Sequence, residues 1–219
     1  MLLRTQAWEE QTCAWPKEGR HVLAQFDENS VVVYQAYRTN IGEFAVRHGF
    51  FGGAFSLTRM SWIKPNFLWM MYRSGWATKE NQEMVLAVTL RRDAFDSILE
   101  QAVPSTYVDV LYETREKWQE AVAASSVRLQ WDPDHHPKGN PLNRRALQLG
   151  LRGDVLRAYA REWVLNVEDI TPFVREQHPY VVSGNLGELQ IPAESVYPVT
   201  KAAARSLGVA EVEETPRTQ

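Results

Sequence analysis

Three cations, Arg59, Lys64 and Arg73, lie within one segment, Arg59-Met-Ser-Trp-Ile-Lys-Pro-Asn-Phe-Leu-Trp-Met-Met-Tyr-Arg-Ser-Gly-Trp76. Cations interleaved with large aromatic rings suit a ligand that carries both phosphates and planar rings. The cations meet phosphate oxygens and the rings stack. Pro65 can open a helix, and its free backbone N–H groups would add an anion site. The same spacing also describes a buried helix whose basic side chains snorkel from its ends.

Other residues could do chemistry. Glu162 precedes the apolar run Trp163-Val-Leu-Asn-Val167. A carboxylate at the lip of a strand can steady a developing cation or take a proton, although an isolated glutamate is more commonly an exposed one. Arg144, Arg145 and Arg152 form a local basic cluster, readable as a phosphate-binding patch or a solvated helix face. Asp134-His135-His136 could bind metal. Adjacent histidines point different ways, however, and with no third ligand in view the segment reads as a polar turn begun at Asp132-Pro133, so no metal is expected. The chain contains no serine–histidine–acid signature, phosphate-binding glycine loop, G-x-G-x-x-G or H-E-x-x-H.

Composition narrows the class. A net charge of -3 gives no global field for nucleic acid, so any such partner needs a local patch. Cys13 is the single cysteine, which excludes disulfide frameworks and thiolate zinc sites. Neither a signal peptide nor a membrane span is visible, and a cytoplasmic protein without a membrane partner is expected. Eight tryptophans could fill a core or line a pocket for a planar ring.

The elements that must position these residues can be outlined. Residues 1–20 read as a loose N-terminal arm, 21–200 as a single domain and 201–219 as a C-terminal tail, helical at first and then polar and mobile. Strands are expected over Val31–Tyr37, Phe55–Ile63, Glu83–Leu90 and Val127–Trp131. Helices are expected over Ile41–His48, Asn66–Tyr72, Arg92–Gln101, Tyr107–Ala124 and, in a short form, Leu142–Leu151. Asp132–Pro141 reads as a loop. Asp154–Trp163 reads as a helix, with a strand following from Trp163, and a further helix starts near Thr171-Pro-Phe173. The class is α+β in one domain.

Tyr34-Gln-Ala-Tyr-Arg38, the Arg59–Trp76 segment, Gln130-Trp-Asp-Pro133 and Gln148-Leu-Gly-Leu-Arg-Gly153 resemble a family of small stand-alone proteins known only as a domain of unknown function. The order of features also resembles the DarT-type ADP-ribosyltransferases that act on DNA. In that likeness Val31 to Gly49 is the opening strand, helix and glycine. Ile63-Lys-Pro-Asn-Phe-Leu-Trp-Met-Met-Tyr72 is the catalytic turn and helix, and Arg161-Glu-Trp-Val-Leu165 carries the catalytic glutamate. Gln35 and Tyr37 stand where those proteins tend to show histidine. Lys64 stands at the catalytic arginine, unless Arg59 takes that role.

This resemblance implies an ADP-ribosyltransferase-like split β-sheet core with flanking helices, and NAD as substrate. Loss of nicotinamide leaves an oxocarbenium-like cation, which Glu162 would stabilise. Lys64 or Arg59 would hold the pyrophosphate. Tyr37, Trp62 or Trp69 would stack on a ring, with Gln35, Arg38 and Tyr72 completing the NAD-contacting set. Arg144, Arg145 and Arg152 would guide an acidic acceptor, DNA or RNA. The alternatives are a non-catalytic nucleotide- or nucleic-acid-binding module, and a protein adaptor using exposed tryptophan.

Overall fold

The computed structural model describes residues 3–209. The chain opens with β1 (Thr5–Ala7), α1 (Trp8–Ala14), β2 (Gly19–Arg20) and β3 (Leu23–Ala24). The segment expected as a loose arm is therefore tied in. Its β1 is paired, and Gln11 and Trp15 are buried.

The β-branched run Ser30–Tyr37 forms β4, and α2 (Thr39–His48) ends at Gly49, whose φ of 72° suits a residue without a Cβ. The expected strand from Phe55 shrinks to β5 (Ser61–Ile63). Helix α3 (Phe67–Ser74) is capped by Asn66, whose side chain accepts from Trp69 N at 2.8 Å. It ends in three consecutive left-handed residues, Gly75, Trp76 and Ala77. The Trp76 ring then stacks on His178 and donates to Pro137 O at 3.3 Å, so it serves as a packing pin.

There follow β6 (Met84–Arg91), α4 (Arg92–Glu100), β7 (Ala102–Pro104) and α5 (Arg115–Ala124), shorter than the helix expected from Tyr107. Strand β8 (Val127–His135) runs on through residues expected to form a loop. Strand β9 (Pro141–Leu151) replaces an expected short helix. Helix α6 (Gly153–Ala158) passes into a π-helical turn, Tyr159–Trp163, and then into β10 (Val164–Asp169). Helix α7 (Thr171–Ser183), β11 (Gln190–Pro192), β12 (Ser195–Val196) and α8 (Lys201–Leu207) complete the described chain. The remainder of the expected mobile tail lies outside the described residues.

This is one α+β domain with eight α-helices among the described residues. An antiparallel sheet, β10–β6–β4, stands at its centre. Val31, Val33, Leu86, Val88 and Leu90 face one apolar core; Val32, Tyr34, Val85 and Ala87 face another. Burial of both faces explains why β6 reads as an almost unbroken apolar run. A second, curled mixed sheet has the order β2–β9–β8–β7, with β5 also on β9. The two sheets meet where Tyr34 and Lys64 exchange backbone hydrogen bonds. Small sheets β1–β11 and β3–β12 bring the two ends of the described chain together. No helix among the described residues is long and apolar enough to cross a membrane.

Candidate functional site

Beyond the Tyr34–Lys64 bridge, β4 and β5 are joined through side chains. Gln35 Nε2 donates to Tyr37 Oη at 2.7 Å, Ser61 Oγ at 3.0 Å and Trp62 O at 3.1 Å. Tyr37 and Ser61 share a further hydrogen bond of 2.8 Å. Burial pushes the Tyr37 phenol up, so it stays protonated. This polar seam is the floor of two adjoining cavities.

The first cavity, of about 470 Å³, is lined by Gln35, Lys64, Trp62, Trp69, Arg73, Gln130 and Gln148, among others. Lys64 is only 5 % exposed. Its Nζ lies 5.0 Å from the Trp69 ring centre. Burial lowers its pKa to about 7, helped by the nearby Arg73 and opposed by Asp132. Asp132 stands behind the lining and accepts from both Gln130 Nε2 (3.1 Å) and Gln148 Nε2 (2.5 Å). Gln130 and Gln148 face each other in the β8–β9 register. Trp62 pairs with Gly150, where a Cβ would come within 2.6 Å of Met60 Sδ and 3.0 Å of the Trp62 ring. The missing side chain lets both residues lie over the strand.

The second cavity, of about 550 Å³, is lined by Arg38, Ile41, Phe55, Arg59 and Asn81 and shares Tyr37, Met60 and Ser61 with the first. Each lobe thus holds cations beside an aromatic ring. Lys64, Arg73, Trp62 and Trp69 serve one, and Arg38, Arg59 and Phe55 the other.

The expected site residues divide accordingly. Gln35, Tyr37, Arg38, Arg59, Trp62, Lys64 and Trp69 all line this two-lobed cleft. Tyr72 does not. Its ring stacks on His135 at 3.5 Å, with Lys79 over it. Glu162 is exposed on the π-helical turn and is not among the residues lining either lobe. Its neighbour Tyr159 reaches the seam instead, donating to Gln35 Oε1.

The three expected nucleic-acid arginines do not form one surface. Arg144 is 3 % exposed and ion-paired with Asp134, its Nε donating at 2.8 Å, beneath the Trp15 ring. A guanidinium buried in this way is spent on packing, not free for phosphate. Arg145, next along the strand, is exposed. Arg152 donates to the carbonyls of Ser125 and Ala123 at the end of α5. Among the described residues no group of three or more His, Cys, Asp or Glu could hold a metal ion.

Gln130, Gln148 and Asp132 were not foreseen as site residues, and neither was Glu194. Its Oε1 accepts from Phe67 N at 2.6 Å and its Oε2 from Asn66 Nδ2 at 3.1 Å, which secures the start of α3. Burial pushes its carboxyl well above the usual range, against the opposing Phe67 N–H and Arg144. No local signal marks it, because its partners lie more than a hundred residues away in the sequence.

Residues 21–197 match a family described as a domain of unknown function, DUF4291. The chain belongs to this family. The match spans both cleft lobes, the central sheet and Glu194. It carries no link to DarT-type transferases. No curated protein matches the chain.

Proposed function

We propose that this DUF4291 protein binds a dinucleotide in the two-lobed cleft, that the ligand is NAD, and that the chain is a cytoplasmic ADP-ribosyltransferase-like enzyme with nucleic acid as acceptor. One observation carries the reading: each lobe pairs cations with an aromatic ring, and the lobes join at the Tyr37–Ser61 seam. A dinucleotide is two halves of the same kind, each a ring with a phosphate. A split β-sheet core like that of the transferases belongs to the same proposal, and the meeting of the two sheets at the Tyr34–Lys64 bridge supports it. Arg38, Arg59 and Arg73 are permanent cations for the phosphates, and Trp62, Trp69 and Phe55 offer ring faces.

A second reading has its own support. With Glu162 outside the lining, the cleft lacks the carboxylate that transfer from NAD was expected to use. That favours a nucleotide-binding module without turnover.

The test is thermal shift with NAD and ADP-ribose, followed by incubation with labelled NAD, DNA, RNA and protein. Stabilisation plus label on an acceptor supports the enzyme. Stabilisation without label supports the module. Neither stabilisation nor label sinks both.

A further inference from the structure

Lys64 holds its amine in an unusual place. The chain's other lysines, Lys17, Lys79, Lys117, Lys138 and Lys201, are exposed, whereas Lys64 is 5 % exposed. Its backbone is clamped to Tyr34 on both sides of the peptide. Among the described residues no carboxylate comes within ion-pairing distance of its Nζ. What it meets is the Trp69 ring and an open cavity that it shares with the guanidinium of Arg73. A largely buried lysine beside another cation, its one nearby acid, Asp132, accepting from two glutamine amides and not ion-paired to it, is placed to be a nucleophile.

The rest of that lobe suits a particular kind of electrophile. Gln130 and Gln148, each with its amide nitrogen donating to Asp132, bring the rest of their amide hydrogen-bonding capacity, above the polar floor that Gln35, Tyr37 and Ser61 form with one another. Uncharged donors and acceptors of this kind match the hydroxyls of a sugar, and Arg73 matches a phosphate.

We propose that Lys64 captures the carbonyl carbon of a phosphorylated aldehyde sugar, the open-chain form of a ribosyl phosphate, as an imine. The Nζ lone pair adds to the carbonyl carbon. The nitrogen's two hydrogens end on the carbonyl oxygen, which leaves as water, and a C=N bond remains. Its pKa of about 7 gives Lys64 a large share of free amine at neutral pH. ADP-ribose carries such a sugar, so the proposal rests on the reading of the cleft as a nucleotide site and names the chemistry of one end of it.

The experiment uses the full chain, ribose 5-phosphate and cyanoborohydride at pH 7, with peptide mass mapping. The expected result is one addition at Lys64, faster by about tenfold or more than at any exposed lysine. Lys64→Arg removes it while the melting transition persists. Arg73→Gln slows labelling by ribose 5-phosphate but not by ribose. Labelling spread over the exposed lysines, or an unmodified Lys64, overturns the proposal. Thermal shift by ADP-ribose without reductant separates the two readings. A shift with Lys64 unlabelled sinks the imine alone, and labelling without a shift sinks the nucleotide site alone.

Discussion

Tyr159 donates a hydrogen bond of 2.5 Å to Gln35 Oε1, linking the π-helical turn to the floor of the cleft. The bond decides which way the Gln35 amide points. With its oxygen engaged by Tyr159, its nitrogen faces Tyr37, Ser61 and Trp62.

Tyr159→Phe leaves that oxygen buried and unsatisfied. The expected cost is about 1–3 kcal/mol of stability, together with weaker ADP-ribose binding as the seam loosens. Denaturant melts and titration calorimetry check both. Unchanged affinity in a folded variant would show that the seam does not shape the cleft.

The Lys64 amine gives stability a distinctive pH dependence. Its pKa is about 7 in the folded chain, against an ordinary 10.5. Below pH 7 the amine is charged in both states, and the folded state bears the whole burial penalty, on the order of a few kcal/mol. Between 7 and 10.5 the unfolded chain still holds the proton that the folded chain has lost, so stability from this group rises with pH. Lys64→Met should therefore raise the melting temperature at pH 7, by an amount that shrinks toward pH 10. A gain independent of pH would contradict this.

Phosphate binding should act on the same group in the opposite sense. A pyrophosphate bound beside the amine favours the ammonium, so NAD, which carries no free aldehyde for Lys64 to capture, should take up protons on binding near pH 7–8. Calorimetry in buffers of different ionisation enthalpy reads that uptake directly. Its loss in Lys64→Met would locate it.

Arg144→Ala strands Asp134 as a buried, unpaired charge, an expected loss of about 3–5 kcal/mol. Arg145→Ala, one residue along on the exposed face, should stay within about 0.5 kcal/mol of wild type. Comparable effects from the two would mean that the ion pair is not as buried as the structure has it.

Gly150→Ala tests the close approach of β9 to Met60 and Trp62. The added methyl must displace one of them, both cleft-lining residues. A drop in ADP-ribose affinity larger than the accompanying loss of stability is expected. The two separate in a ligand titration run well below the melting temperature.

What could be seen in the sequence was local. The β-branched run of β4, the Gly49 stop of α2 and the Asn66–Gly75 bracket around α3 follow from side-chain sterics and capping, and each lies within a few residues of the expected bounds. Strand β9 was hidden because Arg144 and Arg145 suggested a helix face. The alternation of Leu147, Leu149 and Leu151 was the signal that could have revealed it. Cations and rings near Lys64 stood out because they are close in sequence. Gln130 and Gln148 did not, because only the pairing of β8 with β9 brings them together. Glu162 looked well placed beside a strand, but the π-helical turn aims Tyr159, not Glu162, at the cleft.

The grip of Glu194 on Phe67 and Asn66 has a consequence for the order of events during synthesis. Strands β4 and β5 and helix α3 of the cleft leave the ribosome early and β8 and β9 follow, while the carboxylate that secures the start of α3 comes more than a hundred residues after that helix. A nascent chain halted before Glu194 holds the cations and rings without the anchor beneath them. The start of α3 is thus secured only once the chain has grown to Glu194, after the three strands of the central sheet have been made.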